Sequence, residues 1–256
     1  DQAFALVAPE PHALGSPHDA LFYTPGRTSN EAAFLYQLFV REFGTNNLPD
    51  CSNLCHEASG VALIEQIGSG KGSVTLEDFE RAGAIFVFGQ NPGTNHPRML
   101  GELRAAAKRG CRIVAFNPLR ERGLERFAHP QSAKDMLTGS STTIASRYWQ
   151  PRIGGDLAVA SGMLKVLLAR DAVDRAFIGQ YTTGFEALAQ SLHDTPWEGI
   201  EAQGGLPRAV LEEAADLYIE SNATIFCWGM GITQHRRSVA TIQMLMNLLL
   251  ARGNIG

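Results

Sequence analysis

Two kinds of apolar pattern alternate along the chain. Residues 84–88 (AIFVF), 111–116 (CRIVAF) and 223–228 (ATIFCW) are short, nearly unbroken apolar runs, the pattern of strands buried on both faces. Between them the apolar positions recur every three or four residues and predict helices. Thr28 stands three residues before Glu31, the capping-box spacing, and opens a predicted helix ending at Gly44 with Phe34, Leu35, Leu38 and Phe39 as its buried stripe. Residues 57–67 predict a helix with Val61, Leu63 and Ile64 inward. Pro97 leads another, through Met99, Leu100, Leu103 and Ala107 to Gly110. Asp156 is placed to cap a helix carrying Leu157, Met163, Leu164, Leu167 and Leu168. Over 207–219, Val210, Leu211, Ala214, Ala215 and Leu217 face in, and a long helix is expected over about 237–251. Strands alternating with helices imply an α/β fold: a Rossmann-like parallel sheet covered by helices on both faces.

Composition narrows this. The chain has 256 residues, 45% hydrophobic and 19% charged, which is globular and allows one large domain or two small ones. A net charge of −4 gives no electrostatic footprint for nucleic acid. Four cysteines are too few for a disulfide scaffold and point to a reducing compartment, hence the cytoplasm. No run approaches a membrane span, and the first residues have neither the basic start nor the apolar core of a signal peptide. Residues 1–27, with Pro9, Pro11, Pro17 and Pro25 and no periodicity, read as an extended lead-in, and 28–256 as the α/β region. The Ser/Thr-rich stretch 131–146 reads as a surface insertion. A start at Asp1 and an abrupt end suggest a piece of a longer chain.

In doubly wound sheets, ligands sit beyond the carboxyl ends of the strands, so the loops after Phe88, Phe116 and Trp228 are the candidate site. They offer backbone donors flanked by Asn and Thr, which suit a pyrophosphate and a nucleoside without requiring positive charge. Gly68-Ser69-Gly70-Lys71-Gly72-Ser73 fails as a phosphate loop, because Gly72 follows the lysine and the segment follows a helix. Gly229-Met230-Gly231 is half a dinucleotide fingerprint, with Gln234 where the third glycine would fall. Cys111 and Cys227 lie inside apolar strands and read as packing residues. Cys55 differs: it sits in a polar segment entering a helix, next to His56. Helix N-termini favour the thiolate, which is both nucleophile and metal ligand, and a histidine can handle protons. A structural Cys-His pair and a cysteine hydrolase are the alternatives.

Four segments in order carry a resemblance. Asp50-Cys51-Ser52-Asn53-Leu54-Cys55-His56-Glu57-Ala58-Ser59-Gly60, Val87-Phe88-Gly89-Gln90-Asn91-Pro92 with His96-Pro97, Gly229-Met230-Gly231-Ile232-Thr233-Gln234-His235, and Gly253-Asn254-Ile255-Gly256 resemble the catalytic subunit of molybdopterin-dependent formate dehydrogenases. The cysteine segment is most similar to the YdeP-like branch. The likeness runs from about Phe22 to Gly256 and implies a central fragment binding one arm of bis-molybdopterin guanine dinucleotide with Mo. By motif position, Cys55 is the implied molybdenum ligand and His56 its proton-handling neighbour. Asn91, Thr94, Asn95, Asn117, Gly155, Asp156, Gly229, Met230, Gly231 and Gln234 are the implied cofactor contacts. The Asp-Pro-Arg loop usual in the family reads Asn117-Pro118-Leu119-Arg120 here, which removes a charge and displaces the arginine. The family's 4Fe–4S cysteine cluster has no counterpart in these residues and is expected in a preceding segment. The arginine motif and a β-rich domain are expected after residue 256.

The resemblance thus implies an oxidoreductase acting on a small molecule such as formate, with an electron-transfer partner protein, and a piece that is inactive in isolation. A nicotinamide-binding dehydrogenase domain is the second reading; it requires a GxGxxG and a ribose-binding acid after the second strand, where Asn117 stands. A non-catalytic binding module is the third.

Overall fold

A computed structural model describes residues 2–7, 9–24, 28–49 and 55–255. Cys51, the rest of the 50–54 part of the cysteine segment, and Gly256 lie outside the described residues. The chain divides into two compact units, residues 1–57 and 58–256.

In the first unit, the lead-in expected to be extended instead contains helices Gln2–Val7 and Pro9–His12 and a 3-10 turn at Pro17–Asp19. Ser16 caps that turn by a reciprocal capping box, which gives a proline-rich segment local structure without periodicity. The next helix spans Asn30–Phe43 and is capped by Ser29, whose Oγ accepts from Ala32 N–H, one residue beyond the expected Thr28. Phe22 packs edge-on against Phe39 and Phe43, with ring centres 5.8 and 5.2 Å apart. The expected buried stripe is not buried: Phe34, Leu35, Leu38 and Phe39 are all exposed, and Val40 is the helix's buried residue. An apolar stripe is buried only where another element packs over it, and among the described residues of this helix that holds for Val40.

The second unit is built on a sheet. Its described strands are β1 (Ala84–Phe88), β2 (Arg112–Phe116), β3 (Arg126–Phe127), β4 (Thr142–Thr143), β5 (Arg147–Trp149) and β6 (Thr224–Trp228). Four form a parallel sheet in the order β5-β2-β1-β6, while β3 and β4 pair as a short antiparallel ribbon. Alternation decides the layers. Phe86, Phe88, Val114, Phe116 and Phe226 join one core with the helices Asp156–Ala169, Arg208–Ile219 and Ser238–Ala251. Ile85, Val87, Ile113, Ala115 and Ile225 join the other, against the helix Met99–Lys108. This is the expected Rossmann-like sheet with helices on both faces.

Register places the site. Phe88 pairs with Phe116 and with Trp228, and Phe116 pairs with Trp149, so one aromatic row closes the sheet. Phe88 and Phe116 stack with centroids 5.0 Å apart, and Trp149 follows at 5.3 Å. The chain therefore leaves all four strands at one edge, after Phe88, Phe116, Trp149 and Trp228.

Other expectations need correction. On helix Glu57–Ile67 the buried residues are Ser59, Ala62 and Leu63, whereas Val61 and Ile64 are exposed. A small face suffices there because Trp228 approaches it closely enough to donate its indole N–H to Ser59 Oγ at 2.9 Å. Asp156 is the first helical residue rather than the cap, which is Gly155. The 131–146 stretch is not a mere surface loop. Helix Ala133–Thr138 brings in Asp135, which binds Arg104 at 2.7 Å, and Ile144 is buried.

Candidate functional site

The loops at the carboxyl edge are fastened to one another through glycine. Gly229 N–H donates to Phe88 O and Gly231 N–H to Gly89 O, stitching the β6 loop to the β1 loop. Gly89 has φ +52°, which a side chain rarely adopts, and a Cβ built on Gly231 would lie 2.7 Å from both Gly89 Cα and Gly89 O. Between the β1 and β2 loops, a Cβ on Gly123 would lie 2.9 Å from Gly93 Cα. The half fingerprint Gly229-Met230-Gly231 is thus explained by backbone packing between loops. A Gly231→Ala substitution meets backbone atoms that cannot rotate away, so it is expected to cost about 2–3 kcal/mol. Urea unfolding measures this; an unchanged midpoint would show that the loops are not in contact.

Sequence-derived residues distribute unevenly over this edge. Asn91 caps the turn Pro92–Asn95, its Oδ1 accepting from Thr94 N–H at 3.2 Å, while its Nδ2 donates to Glu121 Oε2 at 2.6 Å. Both ends of the Asn91 amide are therefore engaged within the protein. Thr94 and Asn95 are exposed beside it. Asn117 is buried at the end of β2, and its amide faces the Tyr148 hydroxyl. Gly155 is packed so tightly that a Cβ would meet Gln203 O at 2.7 Å. Met230 and Gln234 are half-buried and exposed respectively, on the turn after β6.

Asp156 is the unusual group. It is buried in the first turn of a 14-residue helix, at a cavity of about 210 Å³ also lined by Gly154, Ile232, His235, Arg236 and Arg237. Burial pushes its carboxyl from 3.8 up to about 6, partly offset by its own backbone N–H and by His235. The cavity thereby joins the β5 loop to the β6 loop. A second group at this edge is also under-satisfied: Gln90 is buried with Nε2 near His96 and Met99, and its Oε1 has no hydrogen-bond partner. A larger groove, about 380 Å³, runs along β6 past Leu63, Val74 and Leu249. It follows the strand's flank and is mainly apolar, so the chemistry of the carboxyl edge outweighs its size.

Cys55 and His56 belong to the first unit, and the nucleotide-type loops to the second. Cys55 is a free, half-buried thiol two residues before the helix at Glu57, and His56 is exposed. The other two described cysteines are packing residues, as expected. Burial alone raises the Cys227 thiol to about 12, and burial also raises Cys111. Among the described residues no group of three His, Cys, Asp or Glu side chains forms a metal cluster, and no helix is long and apolar enough to cross a membrane. Glu121 and Tyr148, which organise the β2 loop, were not anticipated. Neither falls in a motif, and only the strand pairing brings Tyr148 beneath that loop.

The family model for molybdopterin oxidoreductases matches residues 1–256. The chain belongs to the molybdopterin oxidoreductase family. It is 50% identical over 265 residues to protein YdeP of Escherichia coli (strain K12), covering 100% of this chain and 35% of that protein. An uncharacterized oxidoreductase of Mycobacterium tuberculosis (strain ATCC 25618 / H37Rv) is 47% identical over 262 residues, covering 100% and 34%. A putative formate dehydrogenase of Staphylococcus aureus (strain USA300) is 29% identical over 259 residues, covering 99% and 24%. The chain thus spans about a third of the length of the first two relatives. Among solved structures, acetylene hydratase from Pelobacter acetylenicus superposes with a TM-score of 0.69 at 19% identity, covering 99% of this chain and 32% of that one, a likeness of fold. Family membership implies a molybdopterin cofactor.

Proposed function

We propose that this chain is the central, cofactor-binding part of a molybdenum-dependent oxidoreductase resembling formate dehydrogenase, and that it holds one guanine dinucleotide arm of the cofactor. The observation that carries the reading is Asp156: a buried carboxyl at a helix start, with only its own backbone N–H and nearby His235 easing its burial. A guanine edge presents two adjacent donors, N1–H and the 2-amino group, which match a carboxylate. Arg236 and Arg237 beside it suit the pyrophosphate, and Gln90 Oε1 is a further acceptor in need of a donor. Thr94, Asn95, Asn117, Gly229, Met230, Gly231 and Gln234 complete the rim, Asn91 and Gly155 chiefly by shaping it.

When bound, molybdenum supplies two-electron redox chemistry with a small molecule such as formate. Cys55 Sγ is the ligand this chain contributes to the metal, and His56 the neighbouring group that takes up the substrate proton. A 4Fe–4S centre elsewhere in the protein would carry the electrons on to a partner protein in the cytoplasm. Acid hydrolysis of the molybdenum-loaded holoprotein is expected to release GMP in proportion to its molybdenum; release of CMP, or of no nucleotide, contradicts the reading.

A further inference from the structure

Nucleotide-binding sheets of this topology read the ribose with a carboxylate at the end of the second strand, whose oxygens accept from the sugar hydroxyls. Here that position is Asn117, which carries no charge, is buried, and turns its amide to the Tyr148 hydroxyl. A carboxylate nevertheless reaches the same rim four residues later. Glu121 Oε2 accepts from Asn91 Nδ2 at 2.6 Å, and Glu121 N–H donates to the Tyr148 hydroxyl at 2.9 Å. That hydroxyl in turn donates to Leu119 O at 2.7 Å. Both ends of Glu121 are therefore fixed, its backbone by β5 and its side chain by the loop after β1. Arg120, the adjacent cation, is drawn away to Glu125 and lies over the Tyr148 ring, 5.2 Å from its centre.

The hydrogen bond to Asn91 uses one carboxylate oxygen and leaves Oε1 without a protein partner among the described residues. Glu121 is half-buried, so Oε1 is oriented without being sealed off. A phosphate brought here would be repelled, whereas a ribose diol offers the O–H donors that a carboxylate accepts. We propose that Glu121, held by Asn91 and Tyr148, is the ribose-binding carboxylate of this site, displaced from the usual position after β2. The inference rests on the nucleotide-binding reading above and adds the residue that selects the sugar.

The test compares GDP with 2′-deoxy-GDP by titration calorimetry. The wild-type protein is expected to prefer GDP by about tenfold, the range of one hydrogen bond to a charged group. Glu121→Gln, which can still accept from Asn91 Nδ2, should shrink that preference to a few-fold, and Glu121→Ala should abolish it. The ratio is the readout because loosening of the loop alone weakens both nucleotides alike; thermal melting confirms that each variant is folded. A ribose preference that persists in both variants, or is absent from a wild type that binds GDP, overturns the assignment to Glu121. Failure of the wild type to bind GDP at all overturns the underlying nucleotide reading, and this inference with it.

Discussion

Replacing Cys55 with alanine in the molybdenum-loaded holoenzyme should lower turnover by roughly 10³-fold or more, the scale set by removing a group that touches the reacting centre. Cys55 is a free thiol in the first unit, while the loops proposed to hold the nucleotide lie in the second, so the substitution removes none of the residues proposed for that rim. Nucleotide content should therefore match the wild type. Lost metal and lost chemistry look alike in an assay, so molybdenum must be measured and matched. Cys111→Ser and Cys227→Ser provide the contrast. Each places a hydroxyl in an apolar strand environment and should cost stability, on the order of 1–3 kcal/mol, rather than turnover per folded molecule. Wild-type turnover from a fully loaded Cys55→Ala enzyme would remove Cys55 from the mechanism and restore the structural Cys-His reading.

Asp156 should govern the second large effect, in stability. Its carboxyl titrates near 6 in the fold against 3.8 ordinarily, so between those values the folded state binds the proton more tightly than the unfolded chain. Stability then falls as pH rises from about 4 to about 6 and stays lower above that, by on the order of 3 kcal/mol. Asp156→Asn, which has no proton to lose, should lack this fall. The two proteins should diverge between pH 4 and 6, the variant being the more stable above it, despite His235, Arg236 and Arg237 nearby. Urea midpoints measured from pH 4 to 8 decide this, and parallel curves would show that Asp156 is not buried as a charge. A site that keeps such a group at this cost is sacrificing stability for binding.

The sheet was readable because its strands are apolar on both faces: 84–88 reappears with its boundaries intact, and 223–228 and 111–116 each lose one residue at the start. The short β5 was not readable. Arg147 and Tyr148 carry polar groups, and the strand exists by pairing with β2. The helices Arg175–Tyr181, Phe185–Asp194 and Trp197–Gly204 also went unread. Each is short, and the cues that start them, an Asp174 cap and Pro196, are local rather than periodic. Burial was misjudged on Asn30–Phe43, because a stripe in sequence says that a face is apolar and nothing about what covers it.

At the site, several residues the motifs single out also have work inside the protein that the sequence does not display. Asn91 stands where a ligand contact was expected, yet both ends of its amide serve the loops themselves. Gly229 and Gly231 looked like half of a phosphate fingerprint and are spacers for the β1 loop. Glu121 was invisible because its importance comes from a partner 30 residues away. Asp156 was named from the motif, but its perturbed carboxyl follows from burial, which a sequence does not display.

Recognition of a guanine nucleotide by Asp156 at the carboxyl edge is checked by titrating the protein with GDP and with ADP, wild type beside Asp156→Asn. The adenine edge offers a single donor where guanine offers two. The wild type should therefore bind GDP at least about tenfold more tightly than ADP, and the variant should bind the two within about twofold. Equal affinities in the wild type, or a guanine preference that survives in Asp156→Asn, would contradict it.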